Sequence, residues 1–343
     1  MRAAVFEGPG RLVVREVDLA PCGPRDLVAR VHACGICGSD VRNFRTGLKA
    51  EVGAQVMGHE LTAVVTEVGP EVQRFRVGDR IAVAPDVSCG HCFYCRRGLV
   101  NLCLHHRMVG THWPGGFAQY LHLPEVVLTH GMVHHVPEEL SLDDAALSEP
   151  ASSVIAAQEN AGVGLGDTVL VIGDGPIGCL HLEVARARGA ARVILAGLGR
   201  LQEAERFAPD LLVDAGKTDT VVAVRAATGG LGADVAIVAT PVAATQAQAV
   251  RAVRKRGKVV LFGGLPKQAP ETTLDANLIH YGEIVVMGAF SYPAHVHQKA
   301  LATIAAGRIH PAMYFNLVVG LDQVLEGFQA AADGRALKVL VKP

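Results

Sequence analysis

The chain has 343 residues, half of them hydrophobic and 19% charged, with a formal net charge of -1. That length predicts two domains, and the composition is ample for ordinary globular cores. The near-neutral balance has no basic or acidic block, which argues against a nucleic-acid track or a membrane-binding face. No run approaches the roughly 18 apolar residues of a membrane span.

The opening MRAAVFEGPGRLVVREV alternates like a strand and lacks the long apolar stretch of a signal peptide. A cytoplasmic enzyme is the expectation. From residue 1 to about 150 the chain is β-rich. The runs AAVF, LVVREV, LVARVHACGI, LTAVVTEVG and RIAVAP are broken by Gly, Pro and Asp. Many strands with tight turns predict a barrel-like or sandwich-like core.

Two stretches in this half carry metal chemistry. The first is Cys34-Gly35-Ile36-Cys37-Gly38-Ser39-Asp40, followed further on by Gly58-His59-Glu60. A thiolate with an imidazole suits zinc, and a catalytic zinc takes three protein ligands and keeps one position open. Cys37 and His59 supply two. Glu60 is the nearest third candidate, and Glu149, just before Pro150, is another. Taken singly, a lone cysteine is more often a small buried hydrophobe, and a His-Glu pair a surface hydrogen bond.

The second stretch is CGHCFYCRRGLVNLC, with Cys89, Cys92, Cys95 and Cys103 spaced C-x2-C-x2-C-x7-C. A disulfide framework, a redox site and a metal site compete. A reducing compartment disfavours disulfides. Four thiolates at this spacing close a tetrahedral zinc with no open position, so the site is expected to be structural. His91, inside the loop, is expected to be exposed. Cys22 and Cys179 are scattered and not obviously paired.

Near residue 150 the texture changes. SEPASSVIAAQENAGV is Ala-rich and predicts a helix. A buried strand over 168–172, a Gly-rich turn, a helix over about 176–188 and a strand over 192–195 make one βαβ unit. Further strands follow at ADVAIVAT, GKVVLFGG and EIVVMGAF with helical stretches between, which predicts a parallel, doubly wound α/β sheet. The last fifty residues predict helices and a final strand.

The turn is Gly173-Asp174-Gly175-Pro176-Ile177-Gly178, a G-x-G-x-x-G between strand and helix. Gly173 permits the tight turn, Gly175 lets backbone approach a pyrophosphate, and Gly178 lets helix pack on strand. The helix N-terminus then offers free N–H groups to the phosphates. The bland reading is a plain glycine turn. An acid expected about 20 residues on, for the ribose 2′-hydroxyl, is absent. Gly197 stands there, followed by Arg200, a possible partner for a 2′-phosphate. NAD against NADP is therefore open.

Taken together, Cys37, GHE, the four-cysteine lobe and the Gly-rich turn resemble the zinc-dependent medium-chain alcohol dehydrogenases. The likeness covers nearly the whole chain, including Gly78-Asp79-Arg80, Gly115-Gly116-Phe117-Ala118 and the stretch 334–341. His59-Glu60 and Ser148-Glu149-Pro150-Ala151 look most like the polyol (sorbitol-type) branch, with threonine dehydrogenases as neighbours. The resemblance implies a GroES-like catalytic domain over 1–150, completed by about 292–343, and a Rossmann nucleotide-binding domain over 151–291. It implies zinc on Cys37 and His59 with Glu60 or Glu149, and Ser39 accepting the proton of the alcohol. Hydride passes to NAD or NADP. By family position, Thr240, Gly263 and Ala289 lie at later strand ends near the nicotinamide. In bland terms they are ordinary strand-end residues. Many relatives have a histidine where this chain has Arg42, which cannot titrate near neutrality. Polyol dehydrogenases of this kind are often tetramers, so a homo-oligomer, tetramer or dimer, is expected.

The favoured function is oxidation of a secondary alcohol in a polyol or sugar derivative, with no nucleic-acid or membrane partner. L-threonine 3-dehydrogenase or another zinc alcohol dehydrogenase is the alternative. A zinc-free quinone or enoyl reductase fits poorly with Cys37, His59 and the lobe. A non-catalytic zinc-lobed protein binding nucleic acid would want a larger positive excess than Arg96, Arg97 and Arg107 provide.

Overall fold

A computed structural model of the protein describes residues 1–48 and 52–343. They form two compact units, Met1–Ser152 with Tyr292–Pro343, and Ser153–Ser291. No helix among the described residues is long and apolar enough to cross a membrane.

Among the described residues the first unit has three sheets, the smallest pairing Asp86–Val87 with Arg107–Met108. A three-stranded one orders Arg11–Glu16, Arg2–Gly8 and Gln55–Val56. The larger one runs Met132–His135, Arg80–Ala84, Glu60–Val68, Leu27–Gly35, Lys338–Lys342 and Phe315–Gly320, with Tyr120–Leu123 also pairing Leu27–Gly35. Its centre is apolar: Leu27, Ala29, Ala63, Ile81 and Val341 have no or almost no exposure. Burying such side chains contributes about 1.5–3 kcal/mol for each large one. The C-terminal strand returns to lie against the N-terminal half, with Leu340 opposite Gly35 and Val341 opposite Cys34. On the other side, Gly35 pairs with Glu60. Three distant segments thus meet beside Cys37. The strand Phe315–Gly320 adds to the expected elements. It pairs in parallel with the last strand, the two joined through the helix Val324–Asp333.

The second unit is the predicted doubly wound α/β layer. Its six strands are parallel and ordered Leu211–Asp214, Arg192–Gly197, Thr168–Ile172, Ala233–Val238, Val253–Leu261 and Val285–Gly288. Val169, Leu170, Val193, Ile194, Ala236 and Ile237 are fully buried. That explains why these strands show continuous apolar runs rather than alternation: helices cover both faces. The order reverses between Thr168–Ile172 and Ala233–Val238. In such sheets ligands bind beyond the strand ends at that reversal.

Candidate zinc centres and nucleotide site

Ligand atoms of Cys37, His59 and Glu60 lie within 4.8 Å of one another. Cys37 caps the helix Gly38–Thr46, Glu60 opens the strand Glu60–Val68, and His59 immediately precedes it. The side chain of Glu60 is fully buried and lies across Gly35, where any Cβ would collide with its carboxylate. Lys338 Nζ sits 2.5 Å from Glu60 Oε2, an ion pair rather than an aligned hydrogen bond. Glu60 Oε1 has no partner among the described residues. A buried carboxylate oxygen without a donor is costly unless something positive meets it. A thiol, an imidazole and this oxygen form an S, N, O donor set suited to zinc.

Asp40, in the first turn of the helix Gly38–Thr46, takes its role from the fold. It is 2% exposed. Its Oδ2 accepts the Cys37 amide at 3.0 Å, and its Oδ1 lies 3.3 Å from His59 Nδ1. A proton on Nδ1 leaves the Nε2 lone pair free for a metal. Ser39 Oγ is 3.4 Å from that Nε2, so the hydroxyl sits on the metal-facing side of the ring. Burial pushes the imidazole pKa down, but Asp40 and the Cys37 sulfur outweigh it and hold it well above its usual value. Arg42, one helical turn on from the capping cysteine, is exposed.

Glu149 lies outside the three-residue cluster. Its Oε1 accepts a 2.8 Å hydrogen bond from the Tyr292 hydroxyl, and both side chains are buried. Burial raises the Glu149 carboxyl to about 7; His59 opposes the rise and Glu60 adds to it. Next to it, Ser148 donates to the Ala145 carbonyl at 2.6 Å and contacts His297 Nε2 at 2.9 Å. Since the hydroxyl proton is used, His297 Nε2–H donates. Its Nδ1 then accepts from His134 at 2.8 Å. Burial lowers His297 to about 3 and His134 to about 4, so both rings are neutral.

The lobe sulfurs of Cys89, Cys92, Cys95 and Cys103 also gather within 4.8 Å. Cys92 and Cys95 are 3.5 Å apart, Cys89 and Cys95 4.0 Å. A disulfide needs about 2.05 Å. Ligands around one zinc, each about 2.3 Å from it, lie at the spacing seen here. Backbone amides of Cys89 and His105 donate to Cys103 Sγ at 3.2 and 3.3 Å, but burial outweighs them and raises that thiol to about 12 without a metal. The Cys95 and Leu104 amides lower Cys92 to about 6. His91 is exposed and turned to the Cys89 carbonyl, outside the set.

In the second unit Gly173 has φ of 126°, and its Cβ would lie 2.9 Å from the Ala239 carbonyl oxygen. A Cβ on Gly178 would collide with the Gly173 carbonyl. Gly175 caps the helix Pro176–Ala187, with Pro176 at its first turn and Ile177 next. The cradle therefore fits a pyrophosphate: close-packed glycines, a helix N-terminus and, beside Gly175, the Arg200 guanidinium. Thr240, Gly263 and Ala289 follow three neighbouring strands. Gly263 packs so closely that a Cβ would lie 2.5 Å from the Thr240 carbonyl oxygen, and the Ala289 amide bonds Leu261 at 3.2 Å. These three gather at the same sheet edge as the Gly-rich turn. His112 Nδ1 accepts the Met108 amide at 3.0 Å, and Trp113 packs on the first unit's core.

Fold and site together define a zinc- and NAD(P)-dependent oxidoreductase acting on alcohols. Residues 23–138 match the alcohol dehydrogenase GroES-like domain, and residues 176–306 match the zinc-binding dehydrogenase domain. The chain is 30% identical to sorbitol dehydrogenase of Bacillus subtilis, over 100% of this chain and 97% of that protein. It is 30% identical to D-arabitol-phosphate dehydrogenase of Enterococcus avium, with the same coverage. A proposed zinc-binding dehydrogenase from Sinorhizobium meliloti 1021, solved bound to NADP, superposes with a TM-score of 0.91 at 32% identity, covering 100% of this chain and 99% of that one. The chain belongs to the zinc-dependent medium-chain alcohol dehydrogenase family.

Proposed function

We propose that the chain oxidises a secondary hydroxyl of a polyol or sugar derivative to a ketone with NAD or NADP. The observation that carries this is the convergence of Cys37, His59 and the unpartnered Glu60 Oε1. The sorbitol and arabitol-phosphate dehydrogenases among its relatives support the substrate class. The first unit serves as the catalytic domain and Ser153–Ser291 as the nucleotide domain. A cytoplasmic homo-oligomer, tetramer or dimer, is the accompanying expectation.

Zinc held by Cys37, His59 and Glu60 supplies Lewis acidity, which lowers the pKa of an alcohol. The Gly173–Gly178 turn would hold NAD(P), which would accept the hydride, and Thr240, Gly263 and Ala289 at the neighbouring strand ends would contact it. The protein's own residues do the rest. Asp40 fixes the His59 tautomer. Lys338 pairs with the Glu60 carboxylate through Oε2. Glu149, held by Tyr292, stands by as a second carboxylate. Ser39 takes the substrate's hydroxyl proton; since Arg42 cannot relay it, the proton leaves by water, a ribose hydroxyl or another histidine. The cysteine lobe holds its loop in shape.

The test is formation of reduced nicotinamide on a panel including sorbitol, xylitol, arabitol, threonine, butanediol and primary alcohols. Turnover of a polyol is expected. Turnover of threonine alone moves the chain to the threonine dehydrogenase branch. Failure on every alcohol, with zinc bound, sinks the substrate class.

A further inference from the structure

The strand Arg192–Gly197 ends without the acid that normally takes the ribose 2′-hydroxyl. The reason lies one turn away. A Cβ on Gly197 would come 2.5 Å from Asp174 Oδ2, so a side chain at 197 and the Asp174 carboxylate compete for one space. Asp174 is the residue between the first two glycines of the turn. Its Oδ2 accepts the amides of Gly199 at 2.7 Å and Arg200 at 2.6 Å, two charge-assisted hydrogen bonds that fix the carboxylate at the strand end. Its Oδ1 takes no hydrogen bond from the described residues.

Arg200 is aimed elsewhere than at the strand end. Its Nη1 lies 3.6 Å from where a Cβ on Gly175 would stand, over the N-terminus of the helix Pro176–Ala187. Its Nε is buried with no partner among the described residues. That placement faces the pyrophosphate cradle.

We propose that Asp174 replaces the missing strand-end acid and makes the chain prefer NAD to NADP. The inference rests on the reading of this turn as a dinucleotide site. Oδ2 is occupied by the loop; Oδ1 accepts the adenosine ribose 2′-hydroxyl. The fixed negative charge, already seated on the two amides, repels a 2′-phosphate that would need the same donors. Arg200 pairs with the pyrophosphate, which both cofactors share, and so does not discriminate between them.

The experiment is fluorescence titration of the full zinc-loaded chain with NADH and NADPH, for wild type, D174N, D174A and R200A. D174N keeps the shape and one acceptor, so it guards against misfolding in D174A. Wild type is expected to bind NADH about tenfold tighter than NADPH, the size of one charged hydrogen bond. Both Asp174 variants are expected to narrow or reverse that ratio, chiefly through tighter NADPH. R200A is expected to weaken both ligands by a similar factor. The proposal is overturned by equal or tighter NADPH binding in wild type, by an unchanged ratio in D174N, or by an R200A loss confined to NADPH. If wild type binds neither nucleotide, the dinucleotide reading itself fails, and this inference with it.

Discussion

Lys338 and Glu60 form an ion pair at 2.5 Å with the two side chains 4% and 0% exposed. The glutamate belongs to the donor set beside Cys37 and His59; the lysine comes from the last strand. Neither charge can reach water, so each depends on the other. Replacing Lys338 by Met leaves Glu60 uncompensated, at an expected cost of about 3–5 kcal/mol. Bound zinc offsets part of it. The melting temperature of K338M is expected to drop more in zinc-depleted than in zinc-loaded protein. Equal drops would show that the lysine acts through packing alone.

Tyr292 is tied to the proposed zinc site through Glu149, to which its hydroxyl donates at 2.8 Å. Y292F is therefore expected to lower kcat/KM about tenfold or less, the effect of one hydrogen bond to a charged group. In an E149Q background it is expected to add little. A double-mutant cycle in kcat/KM measures this, and additive effects contradict it.

Glu149 also has a pH signature in the zinc-depleted protein. Its folded pKa of about 7 lies above the ordinary 4.5. The folded state therefore holds that proton more tightly than the unfolded one. Stability from this group is complete below 4.5 and lost as pH rises from 4.5 through 7. The full loss is about 3 kcal/mol, at 1.36 kcal/mol per pH unit. E149Q is expected to flatten that limb of the stability curve in urea unfolding. An unchanged limb would contradict the assignment.

His297 and His181 act in the opposite direction. Burial lowers both to about 3, so the folded state holds them neutral. The unfolded chain protonates near 6.5. Their contribution is complete above 6.5 and lost as pH falls from there toward 3. Acid destabilisation is expected to begin below about pH 6.5, and H297N to make its onset shallower. Proton uptake on unfolding at pH 5, read by calorimetry in two buffers, checks the sign.

The two metal sets are expected to separate cleanly. C103S removes a lobe ligand and should lower both zinc content and melting temperature. C37S should lower zinc content and abolish turnover with a smaller thermal effect. Elemental analysis with thermal denaturation distinguishes them. Loss of turnover without thermal loss in C103S would argue against a structural lobe.

The local motifs were legible because their chemistry is carried by spacing. Four cysteines within 89–103, the pair His59-Glu60 and the turn 173–178 each announce a site without any partner. Their relations were not legible. Asp40 lies within the stretch 34–40, but only the fold puts it on His59. Nothing in the local sequence marks Lys338 or Tyr292 as the partner of a buried carboxylate. Each meets its carboxylate because the chain's end returns to its beginning. The absent acid at Gly197 was plain in sequence. That Asp174 fills its space follows from a three-dimensional clash no periodicity encodes.

The central claim is that Cys37, His59 and Glu60 hold a zinc required for alcohol oxidation. The most direct measurement is turnover of an accepted polyol before chelation, after complete removal of zinc, and after zinc is restored. Activity should vanish with the metal and return with it. Turnover that survives with no zinc detectable would contradict the claim and leave these three residues a structural cluster.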